Sequence, residues 1–430
     1  MTLDYYLWHL ENSLAPIKES TTLTVHFSNV NSNTKKDKIN KNSFQYLKVI
    51  GCGGYSNVVL ARKKDSGRMY AIKIIKKDKT YLSTNKSIYL AEANIMKKLS
   101  GLPFIVELYC TFQTENELYF VMEPWIGGTL FYFLTHSSKG DLNDEVIRFY
   151  MAEIITALEK VHSKNIMYRD LKPENILIDF DGHIKLTDFG LSKQVRKSDE
   201  TSLTFWGSPE YLPPEMLFGQ EHSRAVDFYT LGWLLYELMI GFPPFHSVNK
   251  KHLYKRIMNG VINFPKNIDP QAQDLMEWLL SKDPSNRPKE FSEIKQHPYF
   301  VNIHWGRIAW KEAIPPWIPD HYTCHVPKRF TQMPLSHVFY KNTYYKESNR
   351  TSHNQREKEG VNTLKGVLVH DKNSNRQRIN PDDRIDDSIE EILYLKGKKV
   401  SKNFDQCRDS LRITFVDLSS FCKHFRKTNR

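Results

Sequence analysis

NIMYRDLKPENILIDFDGHIKLTDFGLSK, residues 165–193, sets Asp170, Lys172, Asn175 and Asp188 among short apolar runs. The runs NILI and HIKL read as strands, which leaves the four polar residues at strand ends and in loops. Upstream, from Phe44, the stretches FQYLKVI, NVVLAR and MYAIKII are β-branched or aromatic and are separated by a Gly-rich and a DSG turn. They predict three antiparallel strands. In KSIYLAEANIMKKL, Ile88, Ala91, Ile95 and Leu99 recur at helical spacing and are closed by Gly101 and Pro103. Two further strands, around 105–113 and 117–123, complete a small sheet-rich lobe. After Gly127 and Gly128 the pattern turns helical. Asn143 is placed to cap a long amphipathic helix over 144–162, and shorter helices are expected near 227–240, 252–259, 270–280 and 291–296. The fold class is α+β in two lobes.

With 430 residues, 40% apolar and 13% aromatic, the chain is globular and too long for one compact unit. Residues 1–43 read as a flexible leader, in which 19–42 are rich in Ser, Thr, Asn and Lys and bury too little apolar surface to offset their ordering entropy. Beyond residue 300 an extended, Pro- and aromatic-bearing arm runs to 347, followed by a polar tail, 348–430, expected to be largely disordered. Residues 301–430 carry 24 Lys and Arg against 15 Asp and Glu, so most of the formal +12 lies there. Such a tail could attract RNA or an anionic membrane, or merely keep the chain soluble. Five scattered cysteines without a CxxC pair fit reduced thiols in the cytoplasm or nucleus. The apolar run from Leu231 to Ile240 contains Glu237 and falls short of the ~20 residues that span a bilayer. No feature calls for an oligomer, and a monomer is expected.

GCGGYSNVVL, residues 51–60, puts glycines in the turn between two strands, where missing side chains let backbone N–H groups approach a triphosphate. The third glycine position holds Ser56, and the loop leads into a strand, unlike a dinucleotide fingerprint that opens a helix. Lys73 lies on the third strand and Glu92 in the middle of the following helix. Pairing would let Glu92 fix the Lys73 ammonium for phosphate oxygens, and rotation of the helix would break it. Asp170, Lys172, Asn175 and Asp188 are the types that phosphoryl transfer uses: a carboxylate for the hydroxyl proton, oxygen ligands for Mg²⁺, and cations for the migrating charge.

In that order, GCGGYSNV, YAIK, YRDLKPEN, DFG, SPEYLPPE and KDPSNRP resemble the eukaryotic protein kinases. YRDLKPEN, TFWGSPEYL and HPYFVNIHWGRIAWKEAIPPWIPD narrow the resemblance to the AGC group, near its Akt, SGK and ribosomal-protein kinase branch. The resemblance implies a kinase domain over 44–300, split into lobes at 123/124, with an AGC-type extension over 301–347. It implies ATP between the lobes, Asp170 as catalytic base, Lys172 on the γ-phosphate, Lys73 on the α- and β-phosphates, and Asn175 and Asp188 on magnesium. Nucleotide contacts are expected from Gly51, Cys52, Gly53, Gly54, Tyr55, Ser56, Asn57, Val58 and Val59. Met122 resembles the gatekeeper and Glu123 begins the hinge. Met96, Tyr168 and Phe189 match an apolar spine, Glu215 and Arg287 a buried ion pair, and Asp227 the carboxylate supporting the catalytic loop.

The resemblance also implies protein Ser or Thr substrates, met by Glu174, Glu237 and Ser208, with basic residues upstream of the target. Thr129 stands where a Glu usually contacts ribose and an upstream Arg, which relaxes that preference. An upstream kinase would act on Thr204, whose phosphate would meet Arg169 and Lys193; Ile88 replaces a helix residue that often helps. Ser336 and Thr343 resemble turn- and hydrophobic-motif sites. The rival reading, a kinase-fold scaffold without turnover, usually lacks the equivalents of Lys73, Asp170 or Asp188, all present here.

Overall fold

The computed structural model describes residues 39–339, except 54–55, 78, 126, 137–141, 196–201, 203–207, 248 and 321–324. The leader before residue 39 and the tail beyond 339 lie outside it. So do Gly54, Tyr55, Thr204 and Thr343. The chain divides after Met333; the fold up to that point is described first.

Five strands, β1 (Phe44–Cys52), β2 (Ser56–Lys63), β3 (Met69–Lys76), β4 (Leu108–Gln113) and β5 (Glu117–Met122), form one antiparallel sheet ordered β1-β2-β3-β5-β4. Alternation does the sorting. Val59, Ile72 and Val121 are fully buried in register with one another, whereas Val58, Lys73 and Phe120 share the opposite face. Helix α1 (Lys79–Leu99) packs on this sheet and ends at Gly101, whose φ of 76° supplies the left-handed stop. Its inner face differs from expectation: Glu92, Ala93, Ile95, Met96 and Leu99 are buried, and Ala91 is exposed. The stripe is turned by one residue because Glu92 is drawn inward by Lys73, and a methyl group gains little from burial.

The larger lobe holds α2 (Leu130–His136), α3 (Asp144–Ser163), α4 (Pro214–Leu217), α5 (Ala225–Ile240), α6 (Lys250–Asn259), α7 (Pro270–Leu279) and α8 (Phe291–Lys295). Asn143 caps α3 as expected, accepting from Val146 N at 3.0 Å. Helix α5, which carries the apolar run, is buried almost all round and forms the axis of this lobe. Among the described residues no helix is long and apolar enough to cross a membrane. Between α3 and α4 lie two short antiparallel pairs, β6 (Ile166–Met167) with β9 (Lys193–Gln194) and β7 (Ile176–Ile178) with β8 (Ile184–Leu186).

The arm is not simply extended. It forms α9 (Trp305–Ala309) and α10 (Lys328–Thr331), and Pro315, Trp317, Pro319 and His325 lie against three glycines of the helical lobe. Pro319 packs where a Cβ on Gly127 would stand, the His325 carbonyl against Gly128, and the Trp317 carbonyl against Gly182. Trp317 also meets the Phe133 ring at 4.5 Å between centroids. Gly182 has φ 85°, so Gly182→Ala combines a strained backbone, about 1–3 kcal/mol, with loss of the arm's seat. Limited proteolysis should then cleave the arm several-fold faster; an unchanged digestion pattern would refute the seating role. The described part of the second unit carries α11 (Ser336–Phe339), with Ser336 exposed at its first position.

Candidate active site

The loop that carries Asp170 is held from beneath by Asp227, 0% exposed in the first turn of α5. Its carboxylate accepts from Tyr168 N at 2.9 Å, Arg169 N at 2.7 Å and His162 Nε2 at 2.7 Å. Arg169 has φ 68°, a left-handed value unusual for a side chain of that size, and the Asp227 bonds keep it there. That backbone turn presents Asp170 to the cleft. Asp170 accepts from Lys172 Nζ at 2.9 Å and Asn175 Nδ2 at 2.6 Å on one oxygen, and from Ser208 Oγ at 3.0 Å on the other. Lys172 also donates to Ser208 Oγ at 2.7 Å. Burial, with the Asp188 charge nearby, raises the Asp170 carboxyl above its ordinary value despite Lys172, as suits a proton acceptor.

Asp188 itself has φ 58° and follows β8. Lys73 Nζ bridges it at 2.8 Å to Glu92 at 2.7 Å. Burial opposes the Lys73 charge, but the Asp188 and Glu92 carboxylates outweigh it and raise its affinity for a proton. Burial likewise opposes ionisation of Asp188, yet Lys73 holds its carboxyl below the ordinary value. The Asp188 side chain remains 45% exposed, so an oxygen can still face a ligand. Gly190 leaves room for this pair: a Cβ there would stand 3.3 Å from Asp188 Oδ1 and 3.4 Å from Glu92 Oε2, pressing on the Asp188 carboxylate. Asp170 and Asp188 thus belong to one cleft: Asp170 feels the Asp188 charge, and both feel that of Lys172. A separate cavity of about 610 Å³, lined by Glu159, Arg224 and Phe291, lies behind Asp227 and holds none of these groups.

The protein kinase domain family matches residues 44–300. The chain belongs to the protein kinase family. It is 41% identical over 288 residues to a RAC family serine/threonine-protein kinase homolog of Dictyostelium discoideum, covering 66% of this chain and 64% of the relative. It is 42% identical over 288 residues to the serine/threonine-protein kinase YPK2/YKR2 of Saccharomyces cerevisiae, covering 66% and 42%. To human RAC-beta serine/threonine-protein kinase it is 39% identical over 297 residues, covering 68% and 61%. The match therefore spans between two fifths and two thirds of the length of these relatives. These likenesses agree with the AGC-group resemblance of the sequence.

In the β1–β2 hairpin of this kinase domain, the turn closes with Gly53 N donating to Ser56 O at 2.7 Å, and Cys52 pairs with Asn57, Gly51 with Val58. Val58 shares the face of Lys73, but Val59 is fully buried on the other; alternation excludes it from the nucleotide surface, correcting that assignment. Met122 pairs with Ala71 at the end of β5 and is buried at the back of the cleft. Glu123 N donates to Glu107 O at 3.1 Å, and its carboxylate takes Glu107 N and Lys185, so a ligand contact at residue 123 would use its carbonyl. The spine forms as expected: Tyr168 and Phe189 meet edge to face at 5.3 Å between centroids, and Met96 is buried.

In α5, Glu237 accepts from Tyr211 OH at 2.6 Å. Burial, together with the Glu174 and Glu210 charges, pushes its carboxyl up to about 8. Burial raises Glu174 as well, and its Oε2 has no partner. Glu210 and Tyr211, not singled out from sequence, complete this acidic group; their position in SPEY next to Ser208 was the available signal. Thr129 Oγ1 accepts from Tyr132 N at 3.0 Å and so caps α2, a use that fits a hydroxyl and would not suit a long Glu. The expected brace is present: Arg287 and Glu215 form two parallel bonds of 2.7 and 2.8 Å.

Proposed function

We propose that this chain is a serine/threonine protein kinase that transfers the γ-phosphoryl group of ATP to a Ser or Thr hydroxyl flanked by basic residues. The single observation carrying this reading is Lys73 bonded at once to Glu92 and Asp188, with Asp170, Lys172 and Ser208 linked beside it. A scaffold has no use for that array. Asp170 would take the hydroxyl proton, Lys172 would steady the transferring group, and Ser208, bonded to both, would set their spacing.

Among the described residues no three His, Cys, Asp or Glu side chains could hold a metal by themselves. Mg²⁺ is ordinarily held by one or two side-chain oxygens plus substrate phosphates, which suits Asn175 and Asp188. Bound there with ATP, it would supply neutralisation of phosphate charge. Purified chain should label Ser in an Arg-containing peptide from radiolabelled ATP; failure to label any Ser or Thr peptide while ATP still binds would favour the scaffold.

Glu174, Glu210 and Glu237 would receive the upstream basic residue. A carboxyl raised to about 8 is neutral at pH 7 and ionises as pH rises, so attraction for an Arg side chain grows with pH. The KM for such a peptide should fall about tenfold between pH 6.5 and 8.5, and Glu237→Gln should flatten the profile. A wild-type KM independent of pH would remove the assignment. We further assign Thr204 as the site of an upstream kinase, Ser336 and Thr343 as secondary sites, and a reducing, cytoplasmic setting, which suits five scattered cysteines without a CxxC pair.

A further inference from the structure

The cavity of about 610 Å³ behind Asp227 lies between the end of α3, the start of α5 and the segment 284–292 that leads into α8. Its size falls in the range that takes a small organic molecule. Three rings that line it pack on one another edge to face or tilted: Phe228 and Phe291 at 4.9 Å between centroids, His162 and Phe291 at 5.0 Å, His162 and Phe228 at 6.0 Å. The chain itself braces the walls. Arg287 Nη1 donates to Ala225 O at 3.0 Å, Lys289 Nζ donates to Ser285 O at 2.6 Å, and Pro284 and Pro288 stiffen the segment between them.

Two ionisable groups of the lining are already engaged: Glu159 pairs with Lys295 at 2.5 Å, and His162 Nε2 is bonded to Asp227. Arg224 is the exception. Its Nη2 donates to Asn165 Oδ1 at 2.7 Å, but its Nε is buried without a hydrogen-bond partner, and among the described residues it has no ion pair. Asp227 and Glu290 act on its charge from a distance, yet the Asp227 oxygens are occupied by Tyr168 N, Arg169 N and His162. A buried N–H with nothing to accept it, beside an aromatic wall, calls for an oxygen from outside the chain.

We propose that this cavity binds a small aromatic carboxylate, its oxygens on the Arg224 guanidinium and its ring against Phe228 and Phe291. A planar carboxylate matches the guanidinium fork, and a flat ring packs well on rings already set edge to face. One negative charge is the limit, because Glu159 and Glu290 also line the cavity and would repel a phosphate dianion. Binding here is independent of the phosphoryl-transfer reading. It still touches the support of the loop that carries Asp170, since His162 is both a wall of the cavity and one of the three donors on Asp227.

The test uses the full chain and β-naphthoate as the probe. Calorimetry should give a Kd on the order of 1 mM or tighter, with β-naphthamide, which has the same rings and no charge, at least about tenfold weaker. Bound β-naphthoate should slow the reaction of Arg224 with phenylglyoxal several-fold, read by mass spectrometry of the peptide that contains it. That protection places the probe without any variant. Arg224→Met should weaken β-naphthoate about tenfold; where this variant melts early, the protection of Arg224 in the parent chain decides. Equal affinity for the amide, an unprotected Arg224, or no heat up to about 10 mM probe would overturn the proposal. Displacement of the probe by ATP would overturn it too, by placing the probe in the nucleotide cleft. So would inorganic phosphate that protects Arg224 where β-naphthoate does not, because the cavity would then take a bare anion and have no use for its rings.

Discussion

Asp188→Asn should lower phosphoryl transfer to a basic Ser peptide at least ~100-fold, which corresponds to about 2.7 kcal/mol of lost transition-state stabilisation. The substitution is nearly isosteric, so the fold and the spine beneath Phe189 should persist. The charge does not. Lys73 would keep Glu92 at 2.7 Å but lose its second carboxylate, and the Asp188 position would offer a neutral amide oxygen to a divalent cation. Charge neutralisation at the transferring group is worth several kcal/mol in such reactions, so a 100-fold loss is a lower bound. Radiolabel incorporation by parent and variant, at matched melting temperature and with contaminating kinases excluded, decides it. Equal incorporation would show that phosphate transfer does not pass through this carboxylate.

The parts legible in the sequence were those whose cause is local. Strand alternation, the Asn143 cap and the clustering of Asp170, Lys172, Asn175 and Asp188 are short-range patterns, and each appears in the fold near its expected place. Long-range causes were hidden. Ala91 looked like an inward residue until the bond from Lys73 turned Glu92 inward, an event set by a strand 19 residues away. Val59 looked like part of the nucleotide loop because adjacency in sequence does not reveal which face a strand residue takes. Gly127 and Gly128 read only as the boundary before the helical part and Gly182 carried no reading, whereas the arm uses the missing side chains of all three as its seat.

The largest effect on stability is expected at Arg287. Its side chain is 0% exposed, and all of its donors are used: Nε on Ser281 O at 2.8 Å, Nη1 on Glu215 and on Ala225 O at 3.0 Å, Nη2 on Glu215 and, at 3.4 Å, Lys282 O. The guanidinium also lies 4.8 Å from the centre of the Tyr229 ring. Arg287→Met leaves the Glu215 carboxylate buried without its cation and three carbonyls without a donor, so it should cost about 3–5 kcal/mol. Glu215→Gln strands the opposite charge and should fall in the same range. Arg287→Lys should not rescue, because an ammonium cannot make two parallel bonds to Glu215 while reaching Ser281 and Ala225. Combining Arg287→Met with Glu215→Leu should cost clearly less than the sum of the single changes, since no isolated charge remains. Denaturant melts of the parent, Arg287→Met, Glu215→Leu and the double variant measure this directly. Additive losses would mean that the pair is two separate packing residues and that α4, the start of α5 and the loop before α8 are held together by apolar contacts alone.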